Sequence, residues 1–344
     1  MKRAYSLPAL IFAFSFSAIA AGASAATYPL PPPDSRLIGE NVTYTVPADN
    51  RSLEKIAAEY QIGLLGMLEA NPGTDPYLPK SGSTLTIPSQ MLLPDAPRKG
   101  IVVNLAELRL YYYPAGENRV IVYPIGIGQL GRNTPVMTTA ISQKIPNPTW
   151  TPTANIRKRY LEEEGITLPG TVPAGPENPM GLFALRLSAG KGTYLIHGTN
   201  ADFGIGMRVS SGCIRLRPTD IEDLFNRVPK GTRVQIMNDP VKTSVEPDGK
   251  RYIEVHQPLS RNDQDDPQTM ALQMSAKVKK VLSQTTTDKQ IAKQAMARRS
   301  GMPVLISAGI EPDKIPAVKQ SLSLQNAEGN SAASAPVNAV TAQQ

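Results

Sequence analysis

Cysteine and histidine are scarce here: 344 residues hold one of the first and two of the second. With a single cysteine the chain cannot close an internal disulfide. Long apolar runs are missing as well. The most apolar stretch, Leu7 to Ala20, is too short to span a bilayer. Clustered charge is absent: the formal net charge is +7, but the Lys and Arg residues are scattered, which argues against a nucleic-acid partner. No residue pattern calls for a metal or an organic cofactor, so none is expected. Beyond Ser321 bulky apolar residues nearly vanish and Ala, Ser, Asn and Gln dominate, so 321–344 reads as a disordered tail.

What is present has a clear order. Met1-Lys2-Arg3 supplies a positive start, Leu7 to Ala20 an apolar stretch and Ala23-Ser24-Ala25 an A-x-A site. Together they read as a cleaved export signal over 1–25. Removal of Lys2 and Arg3 with the signal takes the charge from +7 to +5. No cysteine follows the site, which excludes a lipid anchor there. Residues 26–40, with Pro29 and Pro31 to Pro33, read as an extended linker.

Between 41 and 89 the pattern is strand, helix, helix, strand. Thr43 to Val46 opens it. Leu53, Ile56, Ala57 and Tyr60 form one apolar stripe behind a Ser52 cap, Leu64, Met67 and Leu68 a second, and Thr84 to Ile87 closes the unit. Residues 90–99, with Pro94 and Pro97, read as another linker.

From 100 to 238 the chain is strand-rich: 101–104, 108–112, 120–123 and 234–237 are short apolar runs. Gly126-Ile127-Gly128-Gln129-Leu130-Gly131 matches a dinucleotide fingerprint, but Arg132-Asn133-Thr134-Pro135 follows where a helix is required, so these glycines read as a tight turn. Residues 160–180 read as a mobile loop. Thr219 to Glu222 reads as a capping box ahead of the stripe Ile221, Leu224, Phe225 and Val228. Residues 239–320 are expected to form a helical extension, with stripes at Met270, Met274, Val278 and Val281, then at Ile291, Ala295 and Met296. His256 has no motif around it and reads as structural.

The chemistry concentrates between His197 and Cys213, sixteen positions apart, each beside a glycine. His197 ends the apolar run Thr193-Tyr194-Leu195-Ile196, and Cys213 follows Ser210-Ser211-Gly212. A lone cysteine is also a common small buried hydrophobe. In an exported chain, however, an unpaired thiol is a liability, which favours a reactive role. On that reading His197 takes the thiol proton and the thiolate attacks a carbonyl to give a thioester. Backbone N–H groups of Ser211, Gly212 and Cys213 would face the oxyanion. No acid adjoins His197, so the Gly198 carbonyl is the candidate to orient it. Arg215 either pairs with a substrate carboxylate or is a surface charge. Trp150, held between Pro148 and Pro152, either walls a pocket or fills a core.

His197-Gly-Thr-Asn200 and Ser210-x-Gly-Cys-Ile-Arg215, with Asn133-Thr-Pro-Val136, Asn147-Pro-Thr-Trp150 and Asn178-Pro-Met-Gly181 upstream, resemble the L,D-transpeptidase (YkuD-type) catalytic domain. The 41–89 pattern resembles a LysM domain. The fold these resemblances imply is a mainly β catalytic domain, a sandwich or barrel with few helices, plus a small βααβ unit and the helical extension. The implied activity is cleavage of the bond between meso-diaminopimelate and D-Ala in peptidoglycan tetrapeptide stems, with acyl transfer to an amine, in the periplasm. The amine would be the C-terminal lysine of the major outer-membrane (Braun) lipoprotein. A 3-3 cross-linking enzyme, an L,D-carboxypeptidase and a non-catalytic peptidoglycan-binding protein are the alternatives. Carbapenems would acylate the cysteine. Arg215, Ser210, Tyr194, Asn200 and Trp150 would contact substrate, and Asp49 and Asn71 the glycan. Many members have His where this chain has Ser211, so no contact by that residue is carried over.

Overall fold

Period-two alternation builds most of this chain from short strands, and the computed structural model describes them over residues 25–190, 193–201 and 203–309. All but the last residue of the expected signal, and the expected tail 321–344, lie outside those residues. The segment expected as a linker starts with strand β1 (Ala26–Pro29) and ends near β2 (Leu37–Ile38). Its extended, proline-rich chain suits the edge position that it takes, since proline is tolerated where no partner needs its N–H.

The small unit follows as β3 (Val42–Thr45), α1 (Leu53–Glu59), α2 (Leu64–Ala70) and β4 (Thr84–Ile87), with β3 and β4 antiparallel. Ser52 caps α1 by accepting from the Lys55 N–H. Leu53, Ile56, Ala57, Met67, Leu85 and Ile87 form its core. Next, β5 (Met91–Leu92) pairs with β2. Here too a linker was expected. Pro94 and Pro97 suggested one, but the apolar Met91-Leu92-Leu93 just ahead of them is buried, Met91 and Leu93 against Val102, Tyr111 and Val122 of the main sheet.

The main body contains β6 (Gly100–Asn104), β7 (Arg109–Tyr113), β8 (Arg119–Pro124), β9 (Ile127–Gly128), β10 (Met137–Pro146), α3 (Ala154–Glu164), β11 (Phe183–Leu187), β12 (Leu195–His197), β13 (Arg208–Ser210), β14 (Ile214–Arg215), α4 (Pro218–Arg227) and β15 (Arg233–Met237). Nine strands form one sheet in the order β1-β8-β7-β6-β15-β10-β11-β12-β14, while β9 and β13 pair separately. The ten-residue β10 serves both halves: Met137–Ala140 pairs with β15, and after an irregularity between Ile141 and Gln143 the rest pairs with β11. Such a bulge bends a strand. The sheet curls accordingly, so that Val103, Leu110 and Ile121 from one half share a core with Leu185, Ile196 and Ile214 from the other.

Helix α4 closes this core with Ile221, Leu224 and Val228. It starts differently from the expected capping box. Pro218 is its first residue, Arg217 its N-cap without a side-chain cap, and Asp220 is buried in the first turn. Proline at that position has no N–H to leave unsatisfied, so the helix begins two residues earlier, with Arg217 and not Thr219 as its N-cap. The expected loop 160–180 is partly helical as well, because Thr153 caps α3, which runs on to Gly165.

The C-terminal part is mixed rather than helical. β16 (Val241–Val245), β17 (Arg251–Val255) and β18 (Val304–Leu305) form a sheet in that order, on which α5 (Ala276–Ser283) and α6 (Lys289–Arg298) pack. Met270 and Met274 precede α5, which Ser275 caps. No helix of the described residues is long and apolar enough to cross a membrane.

The βααβ unit sits directly on the main body. Leu64 N–H and Leu65 N–H donate to the carbonyls of Ile205 and Gly206 at 3.3 and 3.2 Å, and Arg217 Nη2 donates to Ile62 O at 2.9 Å. Gly63 and Gly206 meet so closely that a Cβ on Gly63 would lie 2.7 Å from Gly206 Cα. The small unit therefore touches the segment that joins His197 to Cys213.

Candidate active site

Strand β12 positions the histidine by alternation. Ile196 points into the core and Tyr194 packs against it, whereas Thr193, Leu195 and His197 line a cavity of about 560 Å³ on the opposite face. That volume suits a small ligand or a peptide segment. β14 runs parallel to β12 with Ile196 beside Ile214 and His197 beside Arg215. One step back along this register sets Cys213 next to Leu195, so Cys213 and Arg215 share the cavity face with His197, and all three line it.

The imidazole is held by backbone groups of Gly198 and Met180. Its Nδ1 lies 2.6 Å from the Gly198 carbonyl, so Nδ1 carries the proton and Nε2 is left as the basic nitrogen. Burial, and secondarily the Arg215 charge, lower the His197 imidazole to about 4. Burial pushes the Cys213 thiol above its ordinary value, against the opposing pull of a backbone bond to Leu195 and of Arg215. Near neutral pH the resting pair is therefore an uncharged thiol and an uncharged imidazole. Besides the backbone bond to Leu195, Cys213 Sγ has a long contact, 3.7 Å, to Thr193 O.

The cysteine turn is stapled from both ends. Ser210 Oγ donates to Cys213 O at 2.5 Å and accepts from Gly212 N–H at 3.2 Å. Gly212 has φ of +108°, a conformation open to glycine. Thr134 Oγ1 donates to Gly212 O and accepts from Gly128 N–H, both at 3.0 Å. Two expectations change as a result. The Gly212 N–H, expected to face an oxyanion with those of Ser211 and Cys213, donates to Ser210 Oγ. Ser210 lines the cavity, but its only proton holds the turn.

Other expected contacts sort by position. Trp150 and Ser211 line the cavity. Trp150 is held by reciprocal backbone bonds to Val172 at 2.9 and 2.7 Å. Tyr194 and Asn200 do not line it. Strand alternation turns Tyr194 under the turn, where its ring adjoins Gly212, and Asn200 is exposed beyond the strand end. In the small unit, the Asn71 amide donates to Met67 O and Thr86 O and accepts from Thr86 N–H, which makes it a post inside that unit. Asp49 is paired with Arg51.

Residues not foreseen matter as much. Asn178 is fully buried; it donates to Pro148 O at 2.8 Å and accepts from Met180 N–H at 2.9 Å, tying the Trp150 segment to the chain that flanks His197. Ile156, Arg159 and Tyr160 of α3, and Arg186 of β11, also line the cavity. Among the described residues one cluster has metal-ligand character, Glu107, Glu254 and His256, whose ligand atoms lie within 4.8 Å of one another. The Lys242 ammonium sits 2.9 and 3.0 Å from the two carboxylates, which fills the place of a cation.

The chain is similar to known proteins over most of its length. Residues 98–236 match the family model described as the L,D-transpeptidase catalytic domain, and residues 240–306 the one described as the L,D-transpeptidase C-terminal domain. The chain is 58% identical over 296 residues to the probable L,D-transpeptidase YcfS of Escherichia coli K12, covering 85% of this chain and 92% of that one. It is 52% identical over 303 residues to the probable L,D-transpeptidase YbiS of the same strain, covering 86% and 98%. Among solved structures, the catalytic domain of the E. faecium L,D-transpeptidase aligns at 21% identity with a TM-score of 0.30, over 42% of this chain and all of that one.

Proposed function

The chain belongs to the L,D-transpeptidase family, and on that footing we propose that Cys213 and His197 open the bond between meso-diaminopimelate and D-Ala in a peptidoglycan tetrapeptide stem. It is a peptidoglycan-directed L,D-transpeptidase; the residue roles and the acceptor are our reading. The observation that carries it is the anchoring of His197 Nδ1 on Gly198 O, which leaves Nε2 as the base on a cavity shared with Cys213.

As Sγ attacks the diaminopimelate carbonyl, His197 Nε2 takes the thiol proton, and the N–H groups of Ser211 and Cys213 meet the oxyanion. The C–N bond then breaks, and the imidazolium returns the proton to the departing D-Ala amine. A thioester remains. An incoming amine attacks it, gives its proton to His197, and expels the Cys213 sulfur, which is reprotonated. The amine we propose is the C-terminal lysine of the major outer-membrane lipoprotein. The order of the chain supports this: a βααβ unit, read as a LysM domain for glycan, precedes the catalytic domain, and the 240–306 domain follows it. An export signal at 1–25 would deliver the enzyme to the periplasm. Incubation with a disaccharide-tetrapeptide and a lysine-ended peptide is expected to give D-Ala and a stem-lysine conjugate by mass spectrometry. A free tripeptide in place of the conjugate would make the enzyme a carboxypeptidase, and a 3-3 dimer a cross-linker.

The uncharged resting pair sets the pH profile. Protonation of His197 removes the base, so kcat/KM should fall only as pH drops through about 4. Ionisation of the thiol while His197 is neutral removes the proton to be relayed, so the upper limb lies above the ordinary thiol range. Arg215 lowers both groups, and Arg215→Gln should move both limbs to higher pH. A profile with an acid limb near 6.5 in the unaltered enzyme would contradict this ionisation state.

A further inference from the structure

The cavity has one electrostatic property that the cysteine chemistry does not require. Three arginines line it, Arg159 from α3, Arg186 from β11 and Arg215 from β14, and no Asp or Glu lines it. In each of the three the Nε is buried without a hydrogen-bond partner. A buried guanidinium N–H without an acceptor is costly, and arginine is the side chain best matched to a carboxylate by its planar fork. These side chains come from three separate elements, so the convergence is a property of the folded site and not of one charged run.

We propose that Arg159, Arg186 and Arg215 read the carboxylates of the donor stem, and that the enzyme therefore selects stems whose carboxylates are free over stems in which they are amidated. The proposal rests on the reading of this cavity as the donor site. A tetrapeptide stem offers three carboxylates: the terminal one of D-Ala, the one on the distal centre of diaminopimelate, and the α-carboxylate of the γ-linked D-glutamate. The match is one of number and charge. Of the three, the D-Ala carboxylate departs with the leaving group, so two remain to hold the acyl-enzyme while the amine arrives. Arg159 also lies 5.0 Å from the Tyr160 ring, which limits its freedom before substrate binds. Amidation acts on such a site in two ways: it removes the charge of the ion pair, and it replaces one of the two acceptor oxygens by an NH2 group whose protons face the guanidinium donors.

The test uses the full chain and four soluble disaccharide-tetrapeptides: unmodified, amidated on D-glutamate, amidated on diaminopimelate, and amidated on both. Release of D-Ala is followed for the unaltered enzyme and for Arg159→Gln and Arg186→Gln, with Arg159→Lys and Arg186→Lys as charge-keeping variants. Each amidation is expected to lower kcat/KM of the unaltered enzyme roughly tenfold to a hundredfold, the worth of a hydrogen bond to a charged group. Each Gln variant should lose activity on the unmodified stem and lose the penalty for one amidated stem, while the Lys variants keep part of the preference. Equal use of free and amidated stems by the unaltered enzyme would overturn the proposal. So would Gln variants that weaken turnover of all four stems alike while melting like the unaltered protein. Should no stem form an acyl-enzyme detectable by mass, the donor-site reading itself fails; an acyl-enzyme formed without amide discrimination fails the arginine inference alone.

Discussion

Cys213→Ala is expected to lower kcat for D-Ala release by about 10⁴-fold or more, the scale seen when a covalent nucleophile is removed from a preorganised site. The neighbouring Ser210 does not stand ready to replace the sulfur. The adjacent Ser210 hydroxyl donates its proton to Cys213 O and receives the Gly212 N–H. The loss should appear without a stability change of similar weight. Cys213 is half-buried, and its thiol makes weak contacts with the backbone, at 3.7 Å to Thr193 O and to Leu195, so the melting midpoint should move by the equivalent of about 1 kcal/mol or less. Mass spectrometry of the protein with excess stem separates the two forms: a mass increase equal to the acyl group on the unaltered chain, and none on Cys213→Ala. A carbapenem should label in the same way. Activity of the variant within tenfold of the original, or equal labelling of both, would remove this cysteine from the mechanism.

Much of the site was legible because its parts are local. His197 and Cys213 stand beside glycines at the ends of apolar runs, and the same runs define β12 and β14. What the sequence concealed depends on which face a residue takes. Tyr194 and Leu195 are neighbours, and only the pairing of β12 with its partners shows that Leu195 lines the cavity and Tyr194 does not. Gly212 looked like an oxyanion donor until the Ser210 side chain proved to claim its N–H. Arg159 and Arg186 carried no signal, since neither lies in a motif and α3 falls in a stretch whose acids, glycines and prolines suggest a loop. Composition misled at the two linkers. Proline marks where a chain cannot donate a hydrogen bond, but it does not mark whether the residues beside it are buried. Met91, Leu92 and Leu93 are, and β1 adds an edge to the main sheet.

The largest expected loss of stability lies away from the cavity, where three parts of the chain meet. Lys242 of β16 contacts Glu107 at 2.9 Å and Glu254 at 3.0 Å, Arg109 of β7 reaches Glu254 at 3.2 Å, and His256 bridges Glu254 at 2.7 Å and Glu69 of α2 at 3.2 Å. Lys242 is 2% exposed and the two carboxylates that it faces are fully buried. Three acids thus stand against three bases with almost no water to screen them. Burial alone would raise Glu107 and Glu254, but Lys242, with His256 and Arg109, holds both below the ordinary carboxylate range. His256, which burial alone would lower, is lifted to about 9 by Glu254 and Glu69. The signs fix the pH window. The carboxylate contribution is present above the unfolded-state pKa near 4.5 and is lost as pH falls below it; the His256 contribution is present below 6.5 and is lost as pH rises through about 9. Lys242→Met fills similar space but leaves two buried carboxylates with one fewer cation, which should cost about 3–5 kcal/mol. Against a typical total of about 5–15 kcal/mol, that is a large share. The double change Lys242→Met with Glu107→Gln should recover part of it, because the second substitution removes the charge that the first left unpaired. Urea unfolding at pH 7 measures both, and a Lys242→Met midpoint equal to or above that of the original chain would show that the joint adds nothing that apolar packing does not supply. The same loss should be smaller at pH 4 than at pH 7, because without Lys242 the burial that raises both carboxylates is less opposed, and their protonation in the variant relieves the unpaired charge.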